Sequence, residues 1–407
     1  MENIIYCDHH ATTPMCEPAK GAMWAAMCTP GNASSSHRSG QAAKELVESS
    51  RRRVADLMGG VDPASIVFTS GATEANNTAL RGVAAAARRE GNPRPHILAS
   101  AIEHSSILAV LRDMVEAGEV EAELVPVGEG GIVRVEDIAA RIRPETVLVS
   151  VHGANNEVGT VQPVMAIGDL CAARGILFHA DLCQSFGKIP FDASRFDTAS
   201  MSAHKVYGPT GVGALYVRPE VRRWMRPLMV GGSQEDGFRG GTLNVHGIAG
   251  FGAACQEVAR TWEHPHDGRP PESHRLRYLR DRMLARLQER LGDWVRVNGA
   301  IDRPCWEAGY DSPVRLPHNL NVTLIGVCPD QLHAAVRGRV SLSAAAACKS
   351  IGGTRSHVLE AMGVPDDGAV VRVGLGACND EAQVLSVADL LADTADRLRG
   401  NGCEVRR

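Results

Sequence analysis

The sequence predicts an α/β fold, with a large domain on a mainly parallel sheet flanked by helices and a smaller α+β domain beside it. Three observations carry this. Between about residues 40 and 218, short β-rich runs alternate with helical patterns, as βαβ units do. The 407 residues exceed the size at which one hydrophobic core stops growing, so a second domain is expected. The stretch "RTWEHPHDGRPPESHRLR", residues 260–277, is polar and rich in proline and histidine between two helical patterns, and it marks the boundary. The large domain is placed at residues 15–262 and the small one at residues 1–14 and 263–407.

Each element has its own signal. The strand "SIVFT" (65–69) leads into the helical "GATEANNTALRGVAAAARRE" (71–90), and "HILAS" (96–100) into "HSSILAVLRDMVEAG" (104–118). The apolar "VLVSV" (147–151) precedes the helical "VMAIGDLCAARG" (164–175), after which "ILFHAD" (176–181) and "DTASMS" (197–202) add two more strands. Short apolar and β-branched runs set against longer patterns of helical period distinguish the two kinds of element. In the small domain "NLNVTLI" (319–325) and "AVVRVGL" (369–375) read as strands among three helical stretches.

With 44% apolar residues, 22% charged and a formal charge of −4, the composition argues against a nucleic-acid or anionic-membrane surface as the main partner. The opening "MENIIYCDHHATTP" has no basic region followed by an apolar stretch, and no run of about 18 apolar residues occurs. A cytoplasmic protein is expected. The 11 cysteines are scattered without a C-x-x-C pair, which predicts neither a disulfide framework nor a structural zinc site, and no metal is expected.

In open α/β sheets, ligands sit beyond the carboxyl ends of the strands. The loop in "FTSGATEANN" places Ser70, Gly71, Ala72 and Thr73 at a helix start, where free amides and the helix dipole can cradle a phosphate; simple capping by Ser70 or Thr73 is the other reading. In "ILFHADLCQSFGK" a strand ends at Asp181, with Gln184 three residues on, and the aspartate can hold a cationic heterocycle nitrogen or cap a turn. Lys205, in "SAHKVYGPTG", closes a β-like run before a glycine-proline turn. Only 5 of the 43 basic residues are lysine, and an amine, unlike a guanidinium, can become a nucleophile near neutral pH. Cradle, aspartate and lysine together are the parts that pyridoxal 5'-phosphate requires.

The ordered motifs "DHHATTP", "FTSGATEANN", "EHSSIL", "NNEVGTVQP", "HADLCQSFGK", "SAHKVYGPTGVGALYV", "RGGTLNVHGIAG", "HNLNVT" and "VRVGLG" resemble the cysteine desulfurases of the class-V aminotransferase family, in their group I (NifS/IscS) type, over residues 4 to about 398. The resemblance implies the pyridoxal-phosphate fold type I with a seven-stranded sheet. It implies that Lys205 joins the cofactor's aldehyde, that Asp181 pairs with its ring nitrogen, that Gln184 meets its phenolic oxygen and that His104 lies on the ring face. Gly71, Ala72, Thr73, Ser202 and His204 would hold the phosphate, and Thr242 the phosphate in the neighbouring subunit of a homodimer. Asn156 and Arg372 would orient L-cysteine, with an inter-domain ion pair as the other reading of Arg372.

The same resemblance makes Cys348 the sulfur acceptor, which would hand a persulfide to a partner protein; Cys183 is the rival nearest the ring and is read as packing, and Cys328 and Cys378 as thiols without a role. Two departures stand out. The family's serine/glycine-rich lead into the cysteine is here Ser343 and four alanines, and Ala377 stands where many relatives carry a second arginine. Another class-V reaction such as selenocysteine lysis, or a weakly active docking protein, is the alternative these departures leave.

Overall fold

A computed structural model describes residues 4–266, 270–303, 314–343 and 355–400. Twelve strands occur among the described residues: β1 (Ile5–Tyr6), β2 (Ile66–Thr69), β3 (His96–Ser100), β4 (Glu121–Val125), β5 (Thr146–Ser150), β6 (Leu177–Asp181), β7 (Thr198–Ser202), β8 (Gly213–Val217), β9 (Val295–Val297), β10 (Asn319–Ile325), β11 (Val340–Ser341) and β12 (Gly368–Gly374). They form a seven-stranded sheet in the order β2-β8-β7-β6-β5-β3-β4, an antiparallel trio β12-β10-β9, and a parallel pair β1-β11. The sheet is parallel except at β8, which runs against both β2 and β7.

Side-chain alternation explains why the large sheet is buried on both faces. Val67, Ile97, Ala99 and Leu148 belong to one apolar cluster, and their strand neighbours Phe68, Leu98 and Val149 to another. Successive residues of a strand point to opposite faces, so the two clusters are the two sides of one sheet. The helix Ala72–Arg89 packs on the first side through Ala75, Ala79, Leu80 and Val83, alanine-rich and spaced three or four apart. The second cluster continues through Leu276 and Met283 of the helix Glu272–Leu291 to Val322 and Val371 of the small sheet.

The strands expected from sequence are present, and β4 and β8 of the large sheet and the short β1, β9 and β11 are additions. β4 has the glutamates Glu121 and Glu123 and lies at the sheet edge, paired on one side only, so it lacks the continuous apolar run of β3. Because β2 and β7 each run against β8, they run parallel to one another, and the carboxyl ends of β2, β3, β5, β6 and β7 all lie along one edge of the sheet. Ser70, His104, Asn156, Asp181 and Lys205 follow those ends. Cys348 and the four alanines before it lie outside the described residues.

Candidate active site

A cleft of about 570 Å³ opens at that edge. Its lining includes Ser70, Gly71, Ala72, Thr73, His104, Asn156, Asp181, Cys183, Gln184, Ser202, His204, Lys205 and Arg372, so thirteen of the residues singled out from sequence meet in one place. Thr242 is elsewhere, in a neighbouring hollow with Ser70, Gly211 and Arg239. The segment carrying it is pinned: Arg51 forks onto the buried Glu235 at 2.7 and 2.9 Å, the Phe68 amide donates to Glu235 at 3.0 Å, and Arg239 grips Glu74 at 2.7 Å.

Asp181 ends β6 buried, with one donor on each carboxylate oxygen and acceptor capacity left over. Oδ1 accepts from the Cys183 amide at 2.9 Å and Oδ2 from Asn76 Nδ2 at 2.8 Å. Burial works to raise its pKa, but the donors from Cys183 and Asn76 win and hold it below the usual carboxylate range. Asn76 is itself fixed, its Oδ1 meeting His179 Nε2 at 3.0 Å and its amide nitrogen Ser106 Oγ at 2.8 Å. Ser106 in turn lies 2.9 Å from His104 Nδ1, so Asp181 and His104 share one network. Sequence reasoning passed over Asn76, although it lies one helical turn beyond Ala72 and Thr73 and therefore on the same helix face.

Lys205 lies in a 3-10 turn, Ala203–Lys205, directly after β7. Its Nζ donates to the carbonyls of His10 at 2.5 Å and Ala11 at 2.7 Å, and desolvation lowers its pKa, as a nucleophilic amine needs. Two residues on, Tyr207 has φ 63°, a left-handed conformation unusual for a bulky side chain. Three contacts impose it: the Tyr207 amide donates to Thr13 Oγ1 at 2.8 Å, its carbonyl accepts from the Cys16 amide at 3.0 Å, and its hydroxyl accepts from the Ala377 amide at 3.2 Å.

Gly213 brings β8 against the start of the helix Ala72–Arg89. A Cβ on Gly213 would lie 2.5 Å from the Met201 carbonyl oxygen and 2.8 Å from Gly71 Cα, so only glycine lets β8 pass this close to the cap of the helix Ala72–Arg89. The first-turn amides of that helix have no partner within it and face the cleft through Ala72 and Thr73. Across the cleft, Arg372 Nη1 donates to the Asn156 carbonyl at 3.1 Å, while Nη2 reaches Asp8 Oδ1 at 2.9 Å and Ser343 Oγ at 2.7 Å. Arg372 thus lines the cleft, and its ion pair is with Asp8 of residues 1–14, which the sequence groups in the same small domain, so it is not the inter-domain pair that was the other reading.

Cys183 also lines the cleft. Burial and then the neighbouring Asp181 push its pKa well up, and a thiol kept protonated is not a nucleophile. Cys328 caps a short helix, and Cys378 is exposed, 3.5 Å from His9 Nε2. The imidazole of His152, a cleft residue unforeseen from sequence, is pushed down by burial but pulled up more strongly by Glu103, 3.4 Å away, and its pKa is raised.

The aminotransferase class-V family model matches residues 5–276. A cysteine desulfurase IscS of Anaeromyxobacter dehalogenans is 40% identical over 405 residues, 98% of this chain and 94% of that one. The chain belongs to the class-V aminotransferase family. Among solved structures, a NifS-like protein superposes with a TM-score of 0.83 at 30% identity, covering 97% of this chain and 100% of its own. SspA in complex with cysteine superposes at 0.74, also 30% identical, covering 91% and 98%. The family's desulfurases use pyridoxal 5'-phosphate, and the cleft fits it: a buried carboxylate with lowered pKa, a lysine amine with lowered pKa and a helix start lined by small residues suit its ring nitrogen, its aldehyde and its phosphate.

Proposed function

We propose that this chain is a pyridoxal-phosphate-dependent cysteine desulfurase, which takes sulfur from L-cysteine, releases L-alanine and keeps the sulfur as a persulfide on Cys348 for an acceptor protein. The observation that carries it is the meeting of Lys205, Asp181, His104 and Arg372 in one cleft of a chain whose relatives over nearly its full length are cysteine desulfurases. The bound cofactor supplies an electron sink for the carbon chemistry. Asp181 keeps the ring nitrogen cationic, Asn76 holds Asp181 in place, and Thr73, Ser202 and His204 bind the phosphate. Arg372 and Asn156 orient the substrate carboxylate, and the Lys205 amine takes and returns the α-proton.

Cys348, as thiolate, attacks the substrate sulfur. An S–S bond forms while the Cβ–S bond breaks, and the electron pair stays with the three-carbon fragment, which takes up a proton and leaves as alanine. A homodimer, with Thr242 serving the partner's phosphate, belongs to this reading, as do a cytoplasmic setting and the division at residue 262. No helix among the described residues is long and apolar enough to cross a membrane.

The test is the purified protein with L-cysteine, selenocysteine and cysteine sulfinate side by side. Alanine and persulfide are expected from cysteine. Lys205→Ala should lose the cofactor's absorbance band, while Cys348→Ala should keep the band and lose persulfide formation by about a hundredfold or more. Alanine release from selenocysteine alone would overturn the reading, and full persulfide formation by Cys348→Ala would move the acceptor to another thiol.

A further inference from the structure

His10 lies in the cleft wall, 1% exposed, and nothing in its sequence context assigns it a task. Its Nδ1 is 2.9 Å from Gln184 Oε1, and its own carbonyl is 3.2 Å from Gln184 Nε2. That carbonyl oxygen can only accept, so the nitrogen of the Gln184 amide must face it and the oxygen must face the imidazole. The imidazole nitrogen facing an amide oxygen must then carry the proton, which fixes His10 as the Nδ1–H tautomer. Of the two amide hydrogens on Gln184, one goes to the His10 carbonyl, and the other remains for the cleft that Gln184 lines.

The surroundings hold this tautomer. His10 Nε2 is buried without a hydrogen-bond partner, and its ring stacks on His318 with centroids 4.5 Å apart. His318 Nε2 meets Lys188 Nζ at 3.5 Å, and the Trp262 edge closes the stack at 5.8 Å. Burial, together with the cations Arg372, Lys188 and Lys205, drives the His10 pKa well down, outweighing the Gln184 bond that favours the cation, so the ring stays neutral.

We propose that His10 is a positioning residue that locks the Gln184 amide with its N–H toward the cleft, so that this chain presents a donor, not an acceptor, to the phenolic oxygen of the bound cofactor. The proposal rests on the reading of the cleft as a pyridoxal-phosphate site. A donor there favours the anionic oxygen, and most strongly when the adjoining nitrogen on Lys205 carries no proton. Losing the donor raises the pKa of that nitrogen.

The experiment is a pH titration of the cofactor's absorbance in the purified holoenzyme, for the native protein, His10→Ala and His10→Asn. Asparagine keeps an N–H near the Nδ1 position. His10→Ala should move the spectral transition up by about one pH unit, tenfold in the proton equilibrium, and His10→Asn should restore it to within about 0.3 units. An unmoved midpoint in His10→Ala, or equal shifts in both variants, would overturn the proposal. If His10→Ala does not fold, Gln184→Glu, which replaces the donor by an acceptor, should give the same upward shift, and its absence would overturn the proposal equally. A native protein without any cofactor band would instead overturn the reading of the cleft itself.

Discussion

Lys188 shows what a single buried amine does to a molecule of this kind. It is 4% exposed, and desolvation, followed by repulsion from Lys205, lowers its pKa from 10.5 to about 7. Below pH 7 the folded and unfolded chains both carry the proton, and the folded one bears the full penalty. Between about pH 7 and 10.5 only the unfolded chain binds it, so this group makes stability rise with pH across that window. Lys188→Met should therefore be more stable than the native protein at pH 6, by about 4 kcal/mol, with most of the gap closed by pH 10. Denaturation at both pH values checks this; an equal gap at the two would assign the effect to shape and not to charge.

At the scale of elements, the reversed strand β8 and the helix Ala72–Arg89 form one unit, because Gly213 lets them touch. Every atom that a Cβ there would meet within 3 Å is backbone and has no rotamer to give. Gly213→Ala should cost about 1–3 kcal/mol and release cofactor on dialysis, since it displaces Gly71 at the helix cap. Gly128→Ala, with nothing within 4 Å of its added Cβ, is the control and should do neither. The motif "FTSGATEANN" marked the helix start from local pattern alone, because a helix start is a property of adjacent residues. β8 gave no comparable signal of its direction: its five residues "GALYV" are apolar whether the strand runs with or against its neighbours, and only the pairing of Gly213 with Thr69 and Ser202 decides that.

For the whole molecule, the N-terminal segment links the parts. β1 pairs with β11, Asp8 joins Arg372 and Ser343, and the carbonyls of His10 and Ala11 receive Lys205. A segment of fewer than ten residues thus ties Arg372 to Lys205. Asp8→Asn should leave the cofactor band intact and raise KM for cysteine about five- to tenfold with kcat little changed, as loss of a group that only orients the carboxylate anchor would do. A fall in kcat with unchanged KM would sink that assignment.

Local chemistry was legible from the chain alone: the strand-end carboxylate, the lysine before its turn and the helix start after β2 are each written in a few consecutive residues. Tertiary structure alone decided the partnerships. Asn76 beneath Asp181, His10 against Gln184 and Asp8 on Arg372 join residues 105, 174 and 364 positions apart. A sequence specifies hydrogen-bonding capacity residue by residue, but a buried donor acquires its acceptor only when the sheet and the N-terminal segment close around it and water is gone.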